Sequence, residues 1–322
     1  MSFALGSFAA SGGAPFLGVV RGGAVTPATE LGFADDATLF DLLQDWPASL
    51  DALERALVGA DGIRVALADL TPCAPVPQAR QIFCTGANYG RHVVEMVVAL
   101  GVSPETDGMD AQGRERFGER YVERQRAEAE PYVFMKPVTA IAGPCDTLEL
   151  PLFSDRADWE IELAAVIGVE AWRADRADAL RHVAGYMVAN DLTARDKVRR
   201  SDPGAIGADW LAGKGSPGFL PTGPWFVPAK FVPDPHDLGL RLLVNGEVMQ
   251  DGRTSDMTFD IPRQIEWISR HARMLPGDIL CTGSPAGNGV VRGLFLKNGD
   301  VMEAEIEGLG RQVTRCVASS GR

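Results

Sequence analysis

The chain has 322 residues, 46% hydrophobic and 23% charged, with 36 glycines and 21 prolines; this excludes disordered and fibrous classes and provides for a substantial core. Forty-three acidic against 31 basic side chains give a formal net charge of −12, which argues against nucleic acid and anionic lipid as partners. No apolar run approaches the roughly eighteen residues that cross a bilayer, since the stretch ending at Leu100 is broken by His92 and Glu95.

Along the chain, the first basic residue is Arg21, so a secretory leader is not expected and a cytoplasmic setting is. Phe16 to Arg21 followed by Gly22-Gly23 reads as a hairpin, and Thr38 to Gln44 and Leu50 to Leu57 read as helical. Pro72, Pro75 and Pro77 predict an extended connector. The predicted boundary therefore divides a small N-terminal α+β domain, 1–78, from a larger one, 79–322.

Beyond it come short apolar runs punctuated by Gly and Pro: 81–85, 131–135, 160–167, 240–245, 278–282 and 300–306. These are strand signals. Helical spacing is clearest from Thr258 to Met274. Arg114 to Glu130 is nearly all charged, with Phe117 and Tyr121 four apart, and predicts a solvated helix with one docking edge. The fold class is α+β, with a large curled mixed sheet and no internal repeat. Cys73, Cys84, Cys145, Cys281 and Cys316 show no CxxC pair, so each is expected to be a small buried apolar residue in a reducing compartment.

The chemistry-bearing residues begin with Asp158-Trp-Glu-Ile-Glu. Strand alternation puts Glu160 and Glu162 on one face, where adjacent carboxylates are costly without a cation or shared protons. Asp191 ends a short strand starting at Val183. Three hard oxygen donors suit Mg2+, Mn2+ or Ca2+, although the ExE spacing alone also describes the exposed face of an edge strand, the commoner use of it. His92 and Glu95, three apart on a helix, touch; a carboxylate beside an imidazole fixes its tautomer and raises its basicity, as a general base requires, and a solvated helical contact has the same spacing. His182, His236 and His271 are expected to be structural. Gly283 to Gly289 lacks the phosphate-loop ending and reads as a tight loop presenting backbone N–H groups with the hydroxyls of Thr282 and Ser284.

In this order, Gly86 to Glu95, Phe134-Met-Lys-Pro137, Asp158 to Leu163, Asn190 to Asp196, Gly213 to Phe219, Pro221 to Trp225, Val244-Asn-Gly-Glu247 and Pro276 to Gly287 resemble the fumarylacetoacetate hydrolase (FAH) family. The resemblance implies a mixed β-roll catalytic domain, a homodimer, and one divalent metal held by Glu160, Glu162 and Asp191. It implies that His92 and Glu95 activate water on a lid, that Lys214 is an active-site lysine and that Arg195 contacts substrate. Lys136, Tyr89, Thr282 and Ser284 complete the expected substrate-binding set. The chain departs from the family pattern at Val198, where many relatives have glutamine, at Ser284, where threonine is usual, and in a longer segment between Glu95 and Pro131.

The reaction so implied is metal-dependent hydrolysis of a C–C bond in a small-molecule diketo acid, an acylpyruvate or fumarylacetoacetate-like substrate, through a metal-bound enolate and a His–Glu-activated water. Decarboxylation, hydration or isomerisation of a 2-oxo acid is the alternative within the family. A catalytically silent binding protein is the alternative outside it.

Overall fold

A computed structural model describes residues 2–59, 62–101, 104–200 and 207–320. Near the N-terminus Phe16–Arg21 and Ala24–Pro27 form the expected hairpin, Arg21 opposite Ala24. Its two turn residues, Gly22 and Gly23, have φ of +57° and +80°, which glycine adopts without strain. Ala4–Ala9 adds on one side of this hairpin and Val65–Ala66 on the other. Part of the expected connector does more than link: Thr71–Cys73 pairs with Ala4–Ala9 as the fifth strand. Pro72 is tolerated there because the strand is an edge, where a missing N–H breaks no ladder.

Helix Leu39–Leu43 is closed by a Thr38–Asp41 capping box. Helix Trp46–Leu57 starts earlier than its apolar spacing predicts, because Asp45 caps it and Pro47 occupies its first turn.

The centre is a six-stranded mixed sheet, ordered Val227–Pro228, Val183–Asn190, Ile161–Ile167, Ile279–Cys281, Ile82–Gly86, Tyr132–Lys136. Only the pairing of Ile279–Cys281 with Ile82–Gly86 is parallel. Alternation along Ile161–Ile167 divides two cores. Ile161, Leu163, Ala165 and Ile167 pack with Leu240, Leu242, Met302 and Ala304 of a five-stranded sheet. Ala164 and Val166 pack with Leu5, Leu43 and Trp46 of the N-terminal unit. With layers on both faces, Ile161–Ile167 is an interior strand and all seven residues are buried, so the edge-strand reading of Glu160 and Glu162 does not apply.

Helix Ile261–His271 is shorter than its predicted span, because Asp260 caps its start and Ala272 is extended. The charged segment forms helix Ala111–Glu128, capped by Asp110. Phe117 and Tyr121 stack at 6.2 Å, yet the buried positions of this helix are Gly118 and Val122. A Cβ on Gly118 would lie 3.1 Å from Val94 Cα, so glycine lets this helix approach helix Gly90–Leu100 closely. All five cysteines are free; Cys84, Cys281 and Cys316 are buried as expected, whereas Cys73 is half-buried and Cys145 exposed. Among the described residues no helix is long and apolar enough to cross a membrane.

Candidate functional site

The site forms where the central strands end. Ile161 faces Asn190 across the antiparallel ladder, and the Asp191 N–H donates to the Glu160 carbonyl at 2.8 Å, which sets Asp191 beside the two glutamates. One oxygen from each of Glu160, Glu162 and Asp191 lies within 4.8 Å of the others, and all three residues are buried.

Their electrostatics differ. Burial pushes the Glu160 carboxyl up, but Arg195 and Lys214 outweigh it and hold it at about 2. Glu162 is driven well above the usual carboxylate range by burial, with Asp191 and then other neighbours adding to it. Its recorded hydrogen bond is from the Gly283 N–H at 2.8 Å. A hard dication would neutralise this crowding, so three buried carboxylates fit such an ion by charge and donor type.

Two lysines enter from below. Lys136 donates to Asp191 Oδ1 at 2.6 Å and to the Leu192 carbonyl at 3.1 Å. Lys214 donates to Glu160 Oε2 at 2.6 Å, to the Asp191 carbonyl at 2.9 Å and to Asp191 Oδ2. An ammonium has three N–H donors, so those of Lys214 are committed to the acids. Arg195 is likewise engaged, with Nε donating to Asp158 Oδ2 at 2.7 Å and Nη2 to Glu160.

Across the cavity, helix Gly90–Leu100 starts at Tyr89. Its one-turn spacing brings His92 Nδ1 to 4.0 Å from Glu95 Oε2, and the Nδ1 atom is buried with no hydrogen-bond partner among the described residues. Glu95 accepts the Gly287 N–H at 2.8 Å. Burial pushes the Glu95 carboxyl up, and His92, the Gly287 amide and Arg292 outweigh this to hold it below its ordinary value. The Gly283–Gly289 loop therefore spends three of its amides on carboxylates: Gly283 on Glu162, Gly287 on Glu95 and Gly289 on Asp158.

These groups surround a cavity of about 590 Å³, lined by His92, Glu160, Glu162, Asp191, Arg195, Lys214 and Ser284 among others. Three expected substrate contacts lie behind its wall. Tyr89 is fully buried, Thr282 is buried and its hydroxyl donates to the Leu163 carbonyl at 2.8 Å, and Lys136 is covered by the acids it serves. His182, His236 and His271 do not line the cavity.

Sequence reasoning missed several contributors. Asp158 links Arg195 to the Gly289 and Val290 amides at 2.7 and 3.0 Å; its one signal was an acid two residues before the Glu160-Ile-Glu162 pair. Phe134 and Trp210 stack at 4.4 Å and form an aromatic wall, which no short-range pattern marks. Asn88, fully buried, exchanges hydrogen bonds with the Phe259 backbone and donates to the Thr282 carbonyl at 2.7 Å. It ties the turn before His92 to the loop carrying Ser284. Asn88→Ala leaves the Phe259 N–H and the Thr282 carbonyl without this partner, the Phe259 carbonyl keeping Gln264, and is expected to cost about 3 kcal/mol in urea-induced unfolding; a loss below about 1 kcal/mol would show that Asn88 is not a structural tie.

Residues 81–317 match the family model described as fumarylacetoacetate (FAA) hydrolase C-terminal. The mitochondrial oxaloacetate tautomerase FAHD2A of Bos taurus is 36% identical over 282 residues, which cover 87% of this chain and 80% of that protein. Among solved structures, 2-hydroxyhepta-2,4-diene-1,7-dioate isomerase from Mycobacterium marinum superposes with a TM-score of 0.68 at 29% identity, covering 100% of both chains. Maleylpyruvate hydrolase from Sphingobium sp. SYK-6, in complex with manganese(II) and pyruvate, superposes with a TM-score of 0.73 at 27% identity, covering 98% of this chain and 100% of that one.

Proposed function

The chain belongs to the fumarylacetoacetate hydrolase family, and on that premise we propose that it is a divalent-metal-dependent enzyme that interconverts the enol and keto forms of a 2-oxo acid. The observation that carries this reading is the position of His92, on the wall of the same cavity as Glu160, Glu162 and Asp191. Enolisation needs a base at the carbon next to the carbonyl and a positive charge at the carbonyl oxygen.

Glu160, Glu162 and Asp191 would hold magnesium or manganese, which would supply that positive charge. His92 removes the proton from C3 as the enol oxygen takes one from solvent, and on the reverse passage that O–H proton leaves to solvent as His92 returns a proton to C3. Glu95, fixed by the Gly287 N–H, orients the imidazole from its Nδ1 side. Lys136, Lys214 and Arg195 hold Asp191 and Glu160 in place and offset their charge. Support for tautomerisation comes from relatives of 36% identity that carry that activity in their names.

C–C hydrolysis is the second reading, favoured by the His92–Glu95 pair and by the likeness to maleylpyruvate hydrolase. In that reaction His92 takes a proton from water, the resulting hydroxide attacks the distal carbonyl of an acylpyruvate, and the bond between that carbon and C3 breaks to leave a carboxylic acid and the enolate of pyruvate, which takes the proton at C3.

The test is direct. The full chain with magnesium is mixed with freshly dissolved enol-oxaloacetate and, separately, with an acylpyruvate. Accelerated, magnesium-dependent loss of enol absorbance supports tautomerisation, release of a carboxylic acid plus pyruvate supports hydrolysis, and neither change in the presence of metal would sink both.

A further inference from the structure

We propose that the 2-oxo acid taken by this site carries an aryl or branched alkyl group at C3, seated in an apolar annex between helices Gly90–Leu100 and Ala111–Glu128. A second cavity of about 380 Å³ lies there, lined by Val93, Val97, Pro104, Phe117 and Tyr121, with the Gln125 amide as the polar group of its own wall. It shares Ala87, His92 and Met96 with the cavity that holds the carboxylates. His92 therefore stands at the junction of the two spaces.

That position fixes the direction of the substrate, and here the inference rests on the enol–keto reading. The base must face C3, so the substituent is one bond from the carbon that His92 faces and points at the annex mouth. Among the described residues no Lys, Arg, Asp or Glu lines the annex. A carboxylate entering it would be desolvated without a counter-charge, whereas an apolar group would leave water for an apolar surface. In the main cavity Arg195 and Lys214 are already bonded to acids. Val198 adds a further apolar surface to that wall. The long segment after Glu95 thus acquires a use: its helix supplies Phe117 and Tyr121.

Phenylpyruvate and oxaloacetate form a matched pair, both 2-oxo acids, with phenyl or carboxylate on C3. For the full chain with magnesium, the ratio of kcat/KM for phenylpyruvate over oxaloacetate enol–keto conversion is expected to exceed about 10, the size of effect that burying a ring produces. Val97→Trp, which fills the annex, is expected to lower that ratio at least about tenfold. Tyr121→Ala, which removes a partly buried wall, should lower it in the same direction and covers the case in which the tryptophan is not accommodated. An unchanged ratio in the folded variants overturns the inference and leaves the enol–keto activity standing. So does a preference for oxaloacetate that is lost in Arg199→Gln, Arg199 being an exposed cation on the main cavity wall. If wild type converts neither acid, calorimetry with phenylpyruvate and magnesium separates the two ideas. Affinity lost in Val97→Trp then keeps the annex and removes the activity, and affinity unmoved removes both.

Discussion

Replacing His92 with alanine is expected to slow enol–keto conversion by about 10²- to 10⁴-fold, the usual share of a positioned general base, while magnesium or manganese affinity stays within about twofold. The two effects separate because His92 is not one of the three clustered oxygen donors; it faces them from helix Gly90–Leu100. Its side chain is nearly buried and its Nδ1 meets Glu95 at 4.0 Å, so truncation removes the proton carrier without opening the acid cluster. Glu95 acts through the imidazole, as a positioning residue. Glu95→Gln should therefore cost less than His92→Ala and alter the pH profile, because glutamine can still accept the Gly287 N–H but carries no charge. Undiminished turnover in His92→Ala would remove the imidazole from the reaction, and a parallel loss of metal affinity would make its role structural.

The parts of this site that could be read in the sequence are those set by period. Alternation placed Glu160 and Glu162 on one face, and helical spacing placed His92 one turn from Glu95; both arrangements are present. Asp191 was legible because it ends an apolar strand, where a buried acid has reason to be. The destinations of the cations were not legible. Arg195 is four residues after Asp191, yet its guanidinium reaches Asp158 and Glu160, a pairing made by tertiary packing alone. Tyr89 and Thr282 are each two positions from a residue that does line the cavity, Ala87 and Ser284, but their side chains turn into the core, and no one-dimensional pattern gives that choice. The annex is illegible for the same reason: Val97 and Tyr121 are 24 positions apart in the chain and meet only because Gly118 lets two helices close on each other.

Glu162→Gln is expected to abolish metal-dependent activity and, less obviously, to leave the metal-free protein as stable as wild type or more so. Glu162 is a buried carboxylate crowded by Asp191 and Glu160 and displaced well above the usual carboxylate range, burial first. A group whose folded pKa is raised lowers stability at pH values above its unfolded pKa, and that penalty fades as pH falls. Glutamine has no ionised form to carry that penalty and keeps an oxygen for the Gly283 N–H, which now donates at 2.8 Å. With metal present the sign reverses. Wild type gains roughly 2.7 kcal/mol at a metal concentration 100-fold above its Kd, and the variant, with one hard donor neutralised, should gain little. Melting curves with EDTA and with excess magnesium therefore ought to cross: the variant at or above wild type in the first, clearly below it in the second. Equal magnesium-induced shifts in both proteins would take Glu162 out of the metal-binding set. A variant melting well below wild type in EDTA would mean instead that the Glu162 charge is held by contacts other than a bound ion.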